Sequence, residues 1–366
     1  MTTRKRLVFA AAAMLMAVLV GFLALLAADL YFHRRVERAA GVNIWGYRGP
    51  RVAKKAPREH RLIVIGGSTA FGYGVASDQA FPAYLERELR ALATNSAPVS
   101  VVNLGFNSQG AYAFRFAEQD YFSLDYDTVI LYEGYNDLGD APNEYVGRRD
   151  SPVFRLTGYY PIVHIALNEK AMALRSGGDI DAAYRGQQPG AAKTVFRPGL
   201  ATRATASTLE AAAHVSNSLN EQLDRFAKRP KATATFEDVH VDDLGCAPEF
   251  AHYCASVRDG IRFALDRGKK VLVVTQPYIS DRHRQQQADL RVMLAKQFSS
   301  NARVAYANLG EAIDLKDPTR SYDTMHLTPA GNLEIARQLI GPIVELMPDA
   351  FQSPPNRSAS ERDAPR

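Results

Sequence analysis

Four short stretches of this chain carry side chains suited to one kind of chemistry. The first is Gly66-Gly67-Ser68-Thr69-Ala70-Phe71-Gly72, a hydroxyl in a glycine-rich turn. The others are Asn103-Leu104-Gly105, Glu133-Gly134-Tyr135-Asn136-Asp137 and Asp323-Thr324-Met325-His326-Leu327. A hydroxyl, a glycine amide, a carboxamide and an acid–imidazole pair are the parts of acyl transfer: nucleophile, oxyanion donors and an oriented base. Each also has an ordinary structural use. A serine there caps a helix, a glycine serves backbone geometry, and Asn or Asp closes a turn. The last stretch says more. Asp323 and His326 stand three residues apart in a loop leading into a helix, close enough for the carboxylate to hold the imidazole Nδ1–H.

Other readings of the glycine-rich turn fail. A phosphate-binding loop needs Gly-Lys-Ser/Thr at the helix start, and no lysine follows Gly72 or Gly74 closely. Gly72-Tyr73-Gly74 continues as Val75-Ala76-Ser77 and not as a dinucleotide fingerprint. A Gly-x-Ser-x-Gly elbow is absent, because Ser68 has no glycine two residues on. His164, His214, His240, His252 and His283 show no metal-ligand spacing, so no metal is expected, and the chemistry needs no cofactor. Gln276, Pro277 and Tyr278 are read as a pocket rim or an ordinary loop, and Tyr135 as a contact to the acyl or leaving group.

These groups must be held by regular elements, and the pattern supplies them. Apolar, β-rich runs at 61–66, 99–105, 127–134, 269–277 and 302–310 are each short enough for a strand buried on both faces. Amphipathic segments follow most of them, at Phe81–Leu92, Ala111–Tyr121, Ala247–Asp266, Arg282–Phe298 and Pro329–Leu346. Alternation of this kind predicts a three-layer α/β/α domain around a five-stranded parallel sheet. In such sheets ligands bind beyond the carboxyl ends of the strands, which is where the four stretches fall. The alternation breaks over about 143–240, where helical patterns at Pro161–Arg175 and Ala206–Ala227 predict a mainly helical insertion or lid. The helix around Ile162, Ile165, Ala166 and Leu167 could pack on the core or lie on a membrane surface.

Composition sets the outer limits. With 46% apolar and 23% charged residues, a disordered or fibrous chain is excluded. A net charge of +5 from 44 basic and 39 acidic side chains is too small and dispersed to argue for nucleic acid. Leu7 to Ala28 carry no charge over a helical length of about 33 Å at ~1.5 Å per residue, enough to span a bilayer. Leu26-Ala27-Ala28-Asp29 makes a poor cleavage site, so the segment reads as a retained anchor. Arg4, Lys5 and Arg6 before it balance Arg34, Arg35 and Arg38 after it, and charge does not choose the side. The expected organisation is an anchor at 1–40, a linker at 41–60, the α/β domain at 61–346 and a disordered tail at 352–366. Cys246 and Cys254 lie eight residues apart, a spacing open both to a small closed loop and to two buried thiols.

Over roughly 61–345, without the insertion, the chain resembles the SGNH (GDSL-like) hydrolase superfamily in the blocks GGSTAFGYG, NLGFNSQG, EGYND and DTMHLTPAGN. The resemblance implies a flavodoxin-like SGNH fold, with Ser68 as nucleophile, His326 as general base and Asp323 as the carboxylate orienting it. It implies an oxyanion hole from the Ser68 and Gly105 backbone N–H groups and the Asn136 side-chain amide. One departure is Gly67, where an acid often precedes the serine. The implied activity is hydrolysis of an ester, on an acylated glycan or a lipid. An O-acyltransferase for envelope glycans would use the same residues, and a silent glycan- or lipid-binding member is the third reading. Such relatives generally work outside the cytoplasmic membrane, which implies a single-pass inner-membrane protein with a periplasmic domain and a Cys246–Cys254 bridge.

Overall fold

The computed structural model describes residues 2–93, 98–175 and 244–351. Among them the helices are α1 (Thr3–Val36), α2 (Ser68–Phe71), α3 (Phe81–Leu92), α4 (Phe114–Asp120), α5 (Pro152–Thr157), α6 (Val163–Arg175), α7 (Ala251–Asp266), α8 (Asp281–Phe298), α9 (Pro329–Leu346) and α10 (Pro348–Phe351). The strands are β1 (His60–Gly66), β2 (Val99–Asn103), β3 (Thr128–Tyr132), β4 (Lys270–Thr275) and β5 (Val304–Asn308). The chain divides into two compact units. The described parts of one are 2–37, 41–46 and 148–175; those of the other are 38–40, 47–93, 98–147 and 244–351. The helical pattern expected at Ala206–Ala227, most of the 143–240 insertion and the tail at 352–366 lie outside the described residues.

The second unit is built on a five-stranded parallel sheet of order β2-β1-β3-β4-β5. All five strands fall inside the runs anticipated from the sequence or within a residue of them. Runs rich in Val and Ile suit a pleated backbone with both faces covered. Leu62, Val64, Ile130, Tyr132, Leu272 and Val274 share one core with Phe81, Leu85 and Leu89 of α3 and Ile335, Leu339 and Ile343 of α9. The intervening Ile63, Ile65, Val129, Leu131, Val271 and Val273 are equally buried on the opposite face. Alternate residues of β1, β3 and β4 therefore serve two layers, at about 1.5–3 kcal/mol for each large apolar side chain taken fully out of water, while the edge strand β5 is only partly buried. β1 leads to β2 on one side and the chain then crosses to β3 on the other. The reversal of strand order lies between β1 and β3.

Residues 47–60 are no free tether. Tyr47 and Arg48 are buried, and the Arg48 N–H donates to Asn103 O at 3.0 Å. The expected linker is thus part of the sheet unit over these residues, because Tyr47 packs on Tyr121 and the Arg48 guanidinium lies over Phe71 and donates to Val75 O.

In the first unit α1 exposes Leu7, Phe9, Met14, Leu15 and Phe22, and an 18-residue window of mean hydropathy 2.6 has none of its residues buried. An apolar surface of that length matches lipid and not water. The polar character changes at its end. Asp29 accepts from the Ile162 and Val163 N–H groups at 2.7 and 2.6 Å and from the Tyr159 hydroxyl. This carboxylate satisfies amides at the start of α6 that have no partner within the helix. Val163 and Leu167 pack with Ala28 and Phe32, so α6 is seated on α1.

A disulfide joins Cys246 and Cys254 and pins the entry to α7. The chain-entropy view assigns a closed loop of this size about 2.5 kcal/mol, before any strain. Cys254→Ser is expected to lower the thermal midpoint of the detergent-purified chain, and a reductant to lower that of the wild type by a similar amount. A reductant without effect on either protein would contradict a structural bridge.

Candidate active site

Strand β1 ends at Gly66, and the backbone turns at once into α2. Gly66 lies opposite Tyr132 across the β1–β3 pair, so close that a Cβ there would lie 2.0 Å from Tyr132 O. Ser68 opens α2, and Gly72 closes it in the left-handed conformation (φ 82°) that favours glycine. The turn is tied from below. Asn103 at the end of β2 donates its amide to Ala70 O at 2.9 Å and Phe71 O at 3.3 Å, taking up carbonyls the short helix leaves unpaired.

His326 comes from far along the chain. Thr328 caps α9, and the segment before it folds back so that His326 O accepts from Tyr322 N (2.9 Å) and the Ser321 hydroxyl (3.0 Å). Asn332 donates to Leu327 O and Thr328 O and accepts from Phe81 N, fixing this loop against α3. Within it Asp323 Oδ1 accepts the Met325 and His326 N–H groups at 3.1 and 2.7 Å. Thr324 takes a positive φ of 67° to make that turn, a conformation costly for a β-branched residue. Asp323 Oδ2 is left for the ring. His326 Nδ1 lies 2.8 Å from it, and Nε2 lies 2.9 Å from Ser68 Oγ. With Nδ1–H donated to the carboxylate, Nε2 is the acceptor for the serine proton. Burial pushes the Asp323 carboxyl up, but the His326 ring and backbone bonds outweigh it and hold it below the usual value. The carboxylate stays ionised beside the imidazole. Tyr73, half exposed, covers the ring with centroids 4.8 Å apart.

Ser68, Asp323 and His326 are thus brought together as expected from their types. Asn136 is brought to the same place: a Cβ on Gly67 would lie 2.3 Å from its Nδ2. That amide donates to Gln109 O at 3.1 Å and, more weakly, to Glu133 Oε1 at 3.3 Å. Gly105 is different. Its N–H donates to Asn103 Oδ1 at 2.9 Å inside its own loop, and a Cβ there would lie 2.4 Å from Phe71 N. Glycine is needed at 105 because the loop runs against the backbone of the serine turn, and its amide is already committed. The glycine of this block that adjoins the site is Gly110. Its neighbour Gln109 supplies the carbonyl that holds Asn136, and no acceptor is found for its own N–H among the described residues. NLGFNSQG contains both glycines, and spacing alone does not choose between them.

Other expectations shift inward. Gln276 is fully buried, donating to Thr69 Oγ1 at 2.6 Å and accepting from Tyr135 N, so it braces the floor and does not line a rim. Tyr135 turns its hydroxyl to Pro277 O and its ring to His283, away from an acyl-binding role. His252 and His283 are buried, and no cluster with metal-ligand character occurs among the described residues. His214 and His240 lie outside the described residues.

No family model matches the chain, and no curated protein does. Solved structures do align with it. One belongs to a member of the lipolytic protein G-D-S-L family from Veillonella parvula, at 8% identity and TM-score 0.38, covering 77% of this chain and 97% of that one. Another is an acetylxylan esterase from Geobacillus stearothermophilus, at 14% identity and TM-score 0.39, covering 78% and 94%. A third is LAE5, described as an alpha/beta hydrolase enzyme from the metagenome of Lake Arreo, Spain, at 14% and 0.41, covering 78% and 96%. Likeness at this level leaves the chemistry to be read from the residues.

Two carboxylates behind the site are held unusually. Burial raises Glu133 to about 7, against the opposing bonds from the Gly134, Asn136 and Gly67 amides and the Asn136 side chain. Burial, and then the charge of Glu133, push Asp137 well above the carboxylate range, while Ala111 N–H bonds its Oδ2. Glu133 holds its proton more tightly folded than unfolded. Its contribution to stability is therefore complete below about 4.5, the unfolded value, and is lost as pH rises through about 7. The thermal midpoint of Glu133→Gln, measured against wild type, is expected to rise between about pH 5 and about pH 8. A difference independent of pH would contradict the raised value.

Proposed function

We propose that this chain is a membrane-anchored serine ester hydrolase of the SGNH type. The observation that carries the reading is the continuous line from Ser68 Oγ through His326 to the Asp323 carboxylate, 2.9 and 2.8 Å per step. His326 Nε2 takes the serine proton as Oγ bonds to the ester carbonyl carbon. The imidazolium formed is stabilised by Asp323, whose carboxylate is kept ionised. The oxyanion is met by the Ser68 N–H and the Asn136 Nδ2, while the Gly105 N–H is engaged by Asn103. Collapse breaks the ester C–O bond, and the leaving alcohol takes the proton from His326. Water then attacks the acyl-serine by the same proton route and releases the acid.

Tyr73 on the His326 ring and Tyr322 beside Gly74 are both about half exposed, which supports a substrate larger than the ester itself, such as an acylated glycan or a lipid. An acceptor hydroxyl in place of water would make the same site an O-acyltransferase. The disulfide supports an extracytoplasmic position for the sheet unit, since such bridges persist in oxidising compartments. With α1 retained, the chain would be a single-pass protein of the cytoplasmic membrane facing the periplasm.

Fluorophosphonate labelling of the detergent-purified chain, followed by a panel of acyl esters with and without acceptor sugars, tests the reading and separates hydrolysis from transfer. Labelling is expected at Ser68 and lost in Ser68→Ala, with turnover falling at least about a thousandfold while the fold is kept. Near-wild-type turnover in that variant sinks the mechanism. Asp323→Asn is expected to cost about a hundredfold or more, because the imidazole loses the partner that sets its tautomer. Asn136→Ala should lower kcat by about a hundredfold with KM little changed, the mark of a bond made in the transition state. A pure KM effect would move Asn136 to substrate binding.

A further inference from the structure

Glu133 is fully buried at the end of β3, and no cation stands against it among the described contacts. A carboxylate in that position is costly unless donors surround it. Its Oε1 accepts from Gly134 N at 2.9 Å, Asn136 N at 3.1 Å and Asn136 Nδ2 at 3.3 Å. Its Oε2 lies against Gly67, where a Cβ would meet it at 2.3 Å. Gly67 has φ −82°, open to any residue, so glycine is needed there for room and not for conformation. One oxygen thus grips both the backbone and the side chain of Asn136, and the other fills the space beside the residue that precedes Ser68.

We propose that Glu133 is a positioning residue of the active site: its carboxylate sets the Asn136 side chain beside Ser68, and it acts on the reaction through Asn136. An amide side chain has a free χ2 rotation, and a donor a fraction of an ångström out of place loses most of its value for a developing oxyanion. Glu133 Oε1 and Gln109 O together fix that rotation by accepting from the two sides of Nδ2. The Oε1 bond is the longer of the two, so it holds the amide while competing only weakly with an oxyanion for its hydrogen.

This inference rests on the hydrolase reading, and a double-mutant cycle separates the two. Activity is expressed per site labelled by fluorophosphonate, so that loss of folded protein does not count as loss of rate. Glu133→Ala is expected to lower kcat per labelled site by about thirtyfold with KM within twofold, and Glu133→Gln, which keeps an acceptor at Oε1, to stay within about fivefold of wild type. In an Asn136→Ala background Glu133→Ala should cost no more than about twofold further. Additive losses would overturn the proposal while leaving the triad intact, and so would an unchanged kcat per site in Glu133→Ala. Should the alanine variant fail to fold, Glu133→Asp carries the test. Its carboxylate is drawn back by one methylene, so its rate per site must fall at least tenfold below that of Glu133→Gln, and equal rates refute the role. A wild type that neither labels nor turns over ester removes the hydrolase reading and this inference with it.

Discussion

Parallel pairing of β1 with β3 is the constraint on which the site depends. The register sets Gly66 opposite Tyr132, so the residues that follow, Gly67-Ser68 and Glu133-Gly134, leave the sheet side by side. Ser68 and the loop that carries Asn136 are thereby fixed by backbone hydrogen bonds before any side chain is placed. The close approach leaves no room for a Cβ at 66 or 67. Those two glycines follow from the pairing, and the crossing of strand order at the same point opens the crevice above them.

His326 is held by a different device. Its loop gains order from short-range bonds of Asp323 to its own backbone and from Asn332, which reaches from α9 to the start of α3. The packing of α3 on α9 then carries the loop to the serine, with the two ends of one hydrogen bond 258 positions apart in the chain. Apolar burial supplies the position and the polar turn supplies the orientation. The positive φ at Thr324 is the local cost of aiming the carboxylate at the ring.

Polar burial behind the oxyanion side follows the same logic. Glu133, Asp137, Gln276, Gln286 and Gln287 are taken out of water together, and backbone amides, carbonyls and one another serve as their partners. The carboxylate that the family resemblance leads one to expect at residue 67 instead enters the same space from β3 as Glu133. A floor of this kind is rigid because each member has few alternative partners.

Much of this was legible in the residues alone. Short continuous runs rich in Val and Ile, each followed by an amphipathic segment, mark the strands of a covered parallel sheet, so five strands and the helices between them follow from pattern. The hydroxyl, amide and acid–imidazole pair follow from residue type at strand ends, and the apolar length of α1 follows from counting. The use of Gly105 was not legible, because only the loop path shows its amide turned to Asn103. Gln276 and Tyr135 read as pocket residues and are braces, because the direction of a side chain at a strand end depends on what packs behind it. Glu133 stands inside the EGYND stretch, but its letter did not show that one oxygen holds Asn136 while the other lies against Gly67, 66 positions away in the chain. Proximity of the second kind exists only once the sheet has formed.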